Sequence, residues 1–329
     1  MKKFLALFLC AAAALSLTAC SADKESFNSE SGVSSEESVS SGESVTVSSE
    51  ESDVSSEETV SSDSSVSSNE SSSPEESNSP EERTEYKSLT VLGDSIASGC
   101  MLPQYEAGNN YSAPASFGNM LGAGFESYHN FAVDGRTTEG LLNALETSDE
   151  ELSEDVSSSN VIVISIGGND FLQPMLSAMM NDSELIASMF TEGFQPDMAD
   201  EYAQKVINSA LEAAKNVDVK KTLDNISKCV ELISDVNPNA EIILMTVYDP
   251  FSGNELLKEA SEVAQEQLSL LNFGLTMLQG EKVSVIDVYG EFDGKADKYT
   301  NIGFMDIHPN ADGHYRIYEL LKKQLGIDD

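Results

Sequence analysis

The run Val161-Ile162-Val163-Ile164-Ser165-Ile166, followed at once by Gly167-Gly168-Asn169-Asp170, decides how this chain folds. Four β-branched residues stand in a row with no polar alternation, so the strand they form should be covered on both faces. Such strands occur inside parallel sheets, where crossover helices cover each side. The abrupt change to Gly, Asn and Asp marks the strand exit, which in parallel sheets is where ligands bind.

Outward from this run, Ser88 to Leu92, Phe125 to Val133, Glu241 to Val247 and Lys282 to Val288 read as further strands, with the central one spanning Asn160 to Ile166. Helical periodicity fills the intervals at Thr137 to Leu145, Ala199 to Val236 (long and interrupted), Asn254 to Leu278 and Asn310 to Leu325. Strands alternating with helices build right-handed βαβ units, giving a three-layer α/β/α sandwich around a central parallel five-stranded sheet. Three expected strand exits carry distinctive polar groups: Gly93-Asp94-Ser95, Asp134-Gly135-Arg136 and the Gly167 to Asp170 turn. The stretch from Met175 to Lys221 is longer than a crossover requires. It reads either as a helical cap lined by Met175, Met179, Met180, Met189 and Phe190, or as plain helix packing.

The amino-terminal quarter has a different character. Lys2 and Lys3 precede an apolar run from Phe4 to Leu17, the pattern of a secretory signal over residues 1–19. Leu17-Thr18-Ala19-Cys20 resembles the bacterial lipobox, which implies cleavage before Cys20 and lipidation of that residue. The mature chain is then expected outside the cytoplasm, anchored to a membrane at the bacterial cell surface without spanning it. Serine makes up about two fifths of residues 20–85, with Val-Ser-Ser-Glu-Glu recurring from Val33, Val47 and Val54. So little apolar surface cannot offset the entropy of ordering, and a disordered, self-repelling spacer is expected.

Residues 86–329 then form one domain of roughly 245 residues, enough for a well-buried core. Of the formal net charge of −39, about −25 remains on that domain. Such acidity disfavours nucleic-acid binding and close contact with anionic head groups. Discounting Cys10 and Cys20 leaves Cys100 and Cys229, which read as two thiols rather than a disulfide. No Cys or His spacing resembles a zinc site, and neither metal nor cofactor is expected; Asp306-x-His308 and Asp312-x-His314 supply no clear tetrahedral set.

A serine at a buried strand exit is rigidly held yet open to a cleft, which suits a nucleophile. Gly93-Asp94-Ser95, Gly135 after the second strand, Gly167-Gly168-Asn169-Asp170 after the third, and His308-Pro309 before the last helix occur in that order. In these blocks the chain resembles the SGNH (GDSL) hydrolases, and the resemblance spans essentially all of residues 86–329. It implies a flavodoxin-like architecture, Ser95 as nucleophile, His308 as base, and an oxyanion hole of the Ser95 and Gly135 backbone N–H groups with the Asn169 amide. His314 is the fallback base, while His129 lies within a strand. One departure stands out. The family usually places an aspartate three residues before the histidine, where this chain has Met305. Asp306, two residues before, is the favoured third member; the alternatives are a Ser–His dyad and, more weakly, Asp312.

No Gly-x-Ser-x-Gly elbow occurs, which argues against the α/β-hydrolase arrangement. The expected function is that of a secreted, lipid-anchored serine esterase acting on a small-molecule or glycan ester, with an O-acylated carbohydrate preferred. A lysophospholipid or other lipid ester is the alternative substrate, and a noncatalytic surface-binding protein on the same fold is the rival.

Overall fold

A computed structural model describes residues 86–147, 150–180, 205, 208–255, 257–304 and 306–327. The chain divides into two units, of which Asp23–Glu82 lies outside the described residues. The expected signal, Cys20, the spacer, Met189, Phe190 and Met305 also fall outside them, as do the side chains of Met179 and Met180.

Five parallel strands, β1 (Ser88–Gly93), β2 (Ser127–Asn130), β3 (Val161–Ser165), β4 (Glu241–Met245) and β5 (Val283–Ile286), form one sheet in the order β2-β1-β3-β4-β5. β3 is buried along its whole length. Its alternate residues serve two cores: Ile162 and Ile164 face one, Val161 and Val163 the other. Ile242 and Leu244 against Ile243 and Met245 divide β4 in the same way. The continuous apolar runs are therefore what a sheet covered on both sides requires.

Over the first face pack α3 (Thr138–Glu146), α4 (Glu150–Ser158), α6 (Val219–Val236) and α7 (Lys258–Thr276), through Leu141, Leu152, Ile226, Ile233, Leu271 and Leu275 among others. The opposite face carries α1 (Ser95–Ser98), α2 (Phe117–Gly122), α8 (Val288–Phe292), α9 (Ala296–Tyr299) and α10 (Ala311–Leu325), through Ala97, Phe117, Phe292, Tyr299, Ile317 and Leu321. The fold is thus an α/β/α sandwich, as the strand and helix patterns imply. A further helix, α5 (Gly168–Met180), leaves β3 and carries Pro174 within it.

β2 and β4 stop short of their apolar runs, at Asn130 and Met245. Beyond β4, the Asn272 side chain takes both backbone groups of Val247, accepting from its N–H at 2.8 Å and donating to its carbonyl at 2.9 Å. Beyond β2, the Asn110 amide donates to the carbonyls of Asn130 and Ala132 at 2.8 and 2.9 Å. Side-chain amides thus bind backbone groups past these strand ends, while beyond β2 the Phe131 and Val133 N–H groups still donate to the Val91 and Gly93 carbonyls of β1.

Candidate active site

Ser95 is placed by a strand that has no room for any other ending. A Cβ on Gly93 would stand 2.3 Å from the Ser165 carbonyl oxygen and 2.8 Å from the Ala97 Cβ, so β1 and β3 approach closely only with glycine there. Asp94 then caps α1, its Oδ1 accepting from the Ile96 N–H at 3.0 Å. Ser95 is the first helical residue, and the first N–H groups of a helix have no acceptor inside it. The hydroxyl of Ser95 lies 2.9 Å from Nε2 of His308, and both side chains are buried.

Gly135, after β2, has φ 74°, a left-handed conformation that disfavours any residue with a Cβ. Its carbonyl accepts from the Gln173 amide at 2.7 Å. Neither the Ser95 nor the Gly135 N–H finds an acceptor among the described residues. After β3, the Asn169 amide donates to the Arg136 carbonyl at 3.0 Å, with a longer 3.4 Å contact to Asp94 Oδ2. The first bond ties the β3 exit to the β2 exit; the second is near the limit for a hydrogen bond, so that hydrogen is weakly held. Asp170 secures the same junction from below, accepting from the Thr138 N–H at 3.0 Å and hydroxyl at 2.6 Å.

His308 comes from the loop ahead of α10, which Asn310 caps by accepting from the Gly313 N–H at 3.0 Å. Asp306 Oδ1 accepts from the His308 backbone N–H at 3.1 Å and lies 2.5 Å from the ring Nδ1. A carboxylate that bonds the backbone N–H two residues on forms an Asx turn. That turn brings the same oxygen to the imidazole across a spacing of two residues. The rest of the loop is held as well. Asn301 donates from Nδ2 to Asp306 Oδ2 at 3.0 Å, and the buried Tyr248 hydroxyl donates to the Ile307 carbonyl at 2.7 Å.

The carboxylates differ in charge state. Burial drives Asp94 up to about 7, opposed by the Ile96 N–H and His308 and reinforced by Asp134 and Asp170. Burial also acts upward on Asp306, but its hydrogen bond to His308 and the attraction of that ring hold it below the ordinary carboxylate range. An ionised acid behind Nδ1 and a serine hydroxyl before Nε2 give the imidazole one tautomer suited to accept the serine proton.

The fallback candidates stand apart from this arrangement. His314 is wholly buried, stacks on Phe117 at 5.9 Å, and accepts at Nδ1 from the Phe117 N–H at 3.3 Å. Burial, then His308, lowers it to about 3. Asp312 is exposed on α10, and His129 on β2 pairs with Asp155. Among the described residues no group of three His, Cys, Asp or Glu side chains is placed to hold a metal ion, and no disulfide joins Cys100 to Cys229. Sequence reasoning missed Tyr248 and Asn301. Neither lies in a recognisable motif; only the turn-forming tendency of Asn301 gave any signal.

A cavity opens beside Ser95 and His308, lined by Phe171 and Met175 of α5, Val263, Ala264 and Leu268 of α7, and Phe251. Gln267 and Tyr248 add uncharged polar side chains to this lining. Met175 is thus a lining residue, as the cap reading supposed.

Comparison with known proteins bears on the family and the fold. A model of the GDSL-like Lipase/Acylhydrolase family matches residues 91–316, well over half of the chain. The uncharacterized protein YpmR of Bacillus subtilis (strain 168) is 22% identical over 200 residues, covering 59% of this chain and 66% of that relative, a little under two thirds of its length. The fold is similar to that of phospholipase A1 from Streptomyces albidoflavus NA297, with TM-score 0.50, 15% identity, and coverage of 73% of this chain and 99% of that one. It is also similar to the lipase Lip_vut3 from a goat rumen metagenome, with TM-score 0.48, 23% identity, and coverage of 73% and 98%.

Proposed function

This chain belongs to the GDSL-like lipase/acylhydrolase family, whose members are ester hydrolases, and from that premise we propose that it is a serine esterase using Ser95, His308 and Asp306. His308 Nε2 takes the Ser95 proton as Oγ attacks the ester carbonyl carbon. The resulting oxyanion is met by the N–H groups of Ser95 and Gly135 and by the Asn169 amide, whose long contact to Asp94 is the one given up. Collapse of this intermediate breaks the ester C–O bond, and the imidazolium hands its proton to the departing alcohol. Water then repeats the sequence on the acyl-enzyme and releases the carboxylic acid. Asp306 keeps Nδ1–H turned inward and stabilises the imidazolium, without taking the proton itself.

The 2.9 Å Ser95–His308 contact backed by the 2.5 Å His308–Asp306 contact carries this reading. The noncatalytic alternative rested on the acid missing from position 305, and the Asp306–His308 contact weighs against it. The apolar lining beside Ser95 favours an acyl group with a hydrocarbon chain over an acetyl group. An O-acylated carbohydrate, preferred on sequence grounds, keeps only the expected surface tether in its support. Secretion and lipid attachment at Cys20 likewise rest on the leader sequence alone and belong to the proposal. The test is hydrolysis of p-nitrophenyl esters of increasing chain length, with an organophosphonate probe. Wild type should turn over and be labelled at Ser95, and Ser95→Ala should do neither; equal hydrolysis by the two would overturn the reading.

A further inference from the structure

We infer that Asn301 is a positioning residue for the base, acting on His308 through Asp306; this rests on the Ser95–His308–Asp306 reading above. The loop that carries Asp306 has little regular structure of its own. Its acid must nonetheless present one oxygen to Nδ1 with fixed geometry, because a carboxylate free to rotate about its terminal torsion leaves the ring orientation undefined.

Asn301 meets that need at three points. Its Nδ2 donates to Asp306 Oδ2 at 3.0 Å, on the oxygen that His308 does not use. Its carbonyl accepts from the Asp306 N–H at 3.3 Å, and its own N–H donates to the His308 carbonyl at 2.9 Å. One residue thus brackets the acid and the base from the far side of the turn, while a bridge between Thr300 and Pro309 closes the frame next to it. An Asx turn fixes Asp306 Oδ1; the Asn301 amide is what fixes Oδ2. A shared network of this kind is expected to show strong coupling between its members.

The experiment is a double-mutant cycle on the full chain. Asn301→Ala keeps both backbone bonds and removes only the amide, so folding is checked by the urea midpoint. It should lower kcat/KM for a short p-nitrophenyl ester by about tenfold, chiefly through kcat, whereas in an Asp306→Ala background it should cost less than about twofold. Asn301→Asp keeps the shape but sets a carboxylate against Asp306, and should lose more than Asn301→Ala. The downfield Nδ1–H proton resonance of His308 supplies a readout independent of turnover, and should broaden or vanish in Asn301→Ala. Equal losses in both backgrounds, no loss at all, or an unaltered resonance would overturn the inference. Failure of the esterase reading looks different: Ser95→Ala would then hydrolyse as wild type does, whatever the His308 resonance reports.

Discussion

Replacing Asp94 by Asn should make the protein more stable as the pH rises, although it alters the residue beside the nucleophile. Asparagine keeps a side-chain oxygen for the Ile96 N–H, so the cap on α1 survives. What changes is the cost of a buried charge. Asp94 is 2% exposed and titrates at about 7 in the fold, against an ordinary value of 3.8. Its folded pKa is raised, so its contribution is fully present below the unfolded value and is lost as pH climbs through the folded one. Between those limits the unfolded chain gives up the proton while the folded chain keeps it. Three pH units at about 1.36 kcal/mol each give a penalty on the order of 4 kcal/mol above neutrality, absent from Asp94→Asn. Urea unfolding of both proteins at steps from about pH 4 to about pH 8 measures it. The stability gap should open in favour of Asp94→Asn through that window and then level off. The general repulsion of an acidic protein is common to both and cancels in the difference. Parallel profiles, or a gap opening in favour of wild type, would refute the assignment of a raised pKa to this buried acid.

Asn169→Ala removes a proposed oxyanion donor and should lower kcat by about 100- to 1,000-fold with little change in KM, read by steady-state ester hydrolysis. An effect confined to KM would count against that role. His314, held neutral by burial with a pKa lowered to about 3, contributes stability that is present above 6.5 and lost as pH falls toward 3. Wild type should therefore lose its advantage over His314→Gln on acidification, measured by urea midpoints across that range. Ala264→Phe places a ring in the cavity beside Ser95 and should depress kcat/KM for long-chain esters far more than for acetyl esters. A uniform loss across chain lengths would detach the cavity from acyl recognition.

Much of the fold was legible because its strongest signal is also its simplest. A run such as Val161 to Ile164 has one comfortable home, and the topology of helices over both faces follows from it. The short α2 and the acidic α4 were not legible. α4 offers only Leu152 and Val156 as buried apolar residues among Glu, Asp and Ser, too thin a stripe to stand out. Strand ends were overrun at Val247 and past Asn130, where Asn272 and Asn110 capture the backbone from far along the sequence, which no local pattern records. In the site, Ser95, Asn169 and His308 were readable from their order at strand exits and before the last helix. Asp306 was readable only as the nearest acid, because its fitness depends on a turn whose geometry is three-dimensional. Tyr248 left no trace and Asn301 only its turn-forming tendency, since both lie outside any motif and act by hydrogen bonds on the loop that carries Asp306 and His308.

The order of the strands has a consequence for how the site comes together in time. β1 lies between β2 and β3, so Ser95, Gly135 and Asn169 emerge from three adjacent strands spaced by about 4.8 Å, all contributed by the first part of the domain. His308 and Asp306 arrive more than a hundred residues later, with the segment that docks on the opposite face through α9 and α10. The residues proposed to receive the oxyanion are thus synthesised before the proposed proton acceptor. On the proposed mechanism, a chain ending before His308 should show no ester hydrolysis, since it lacks the base.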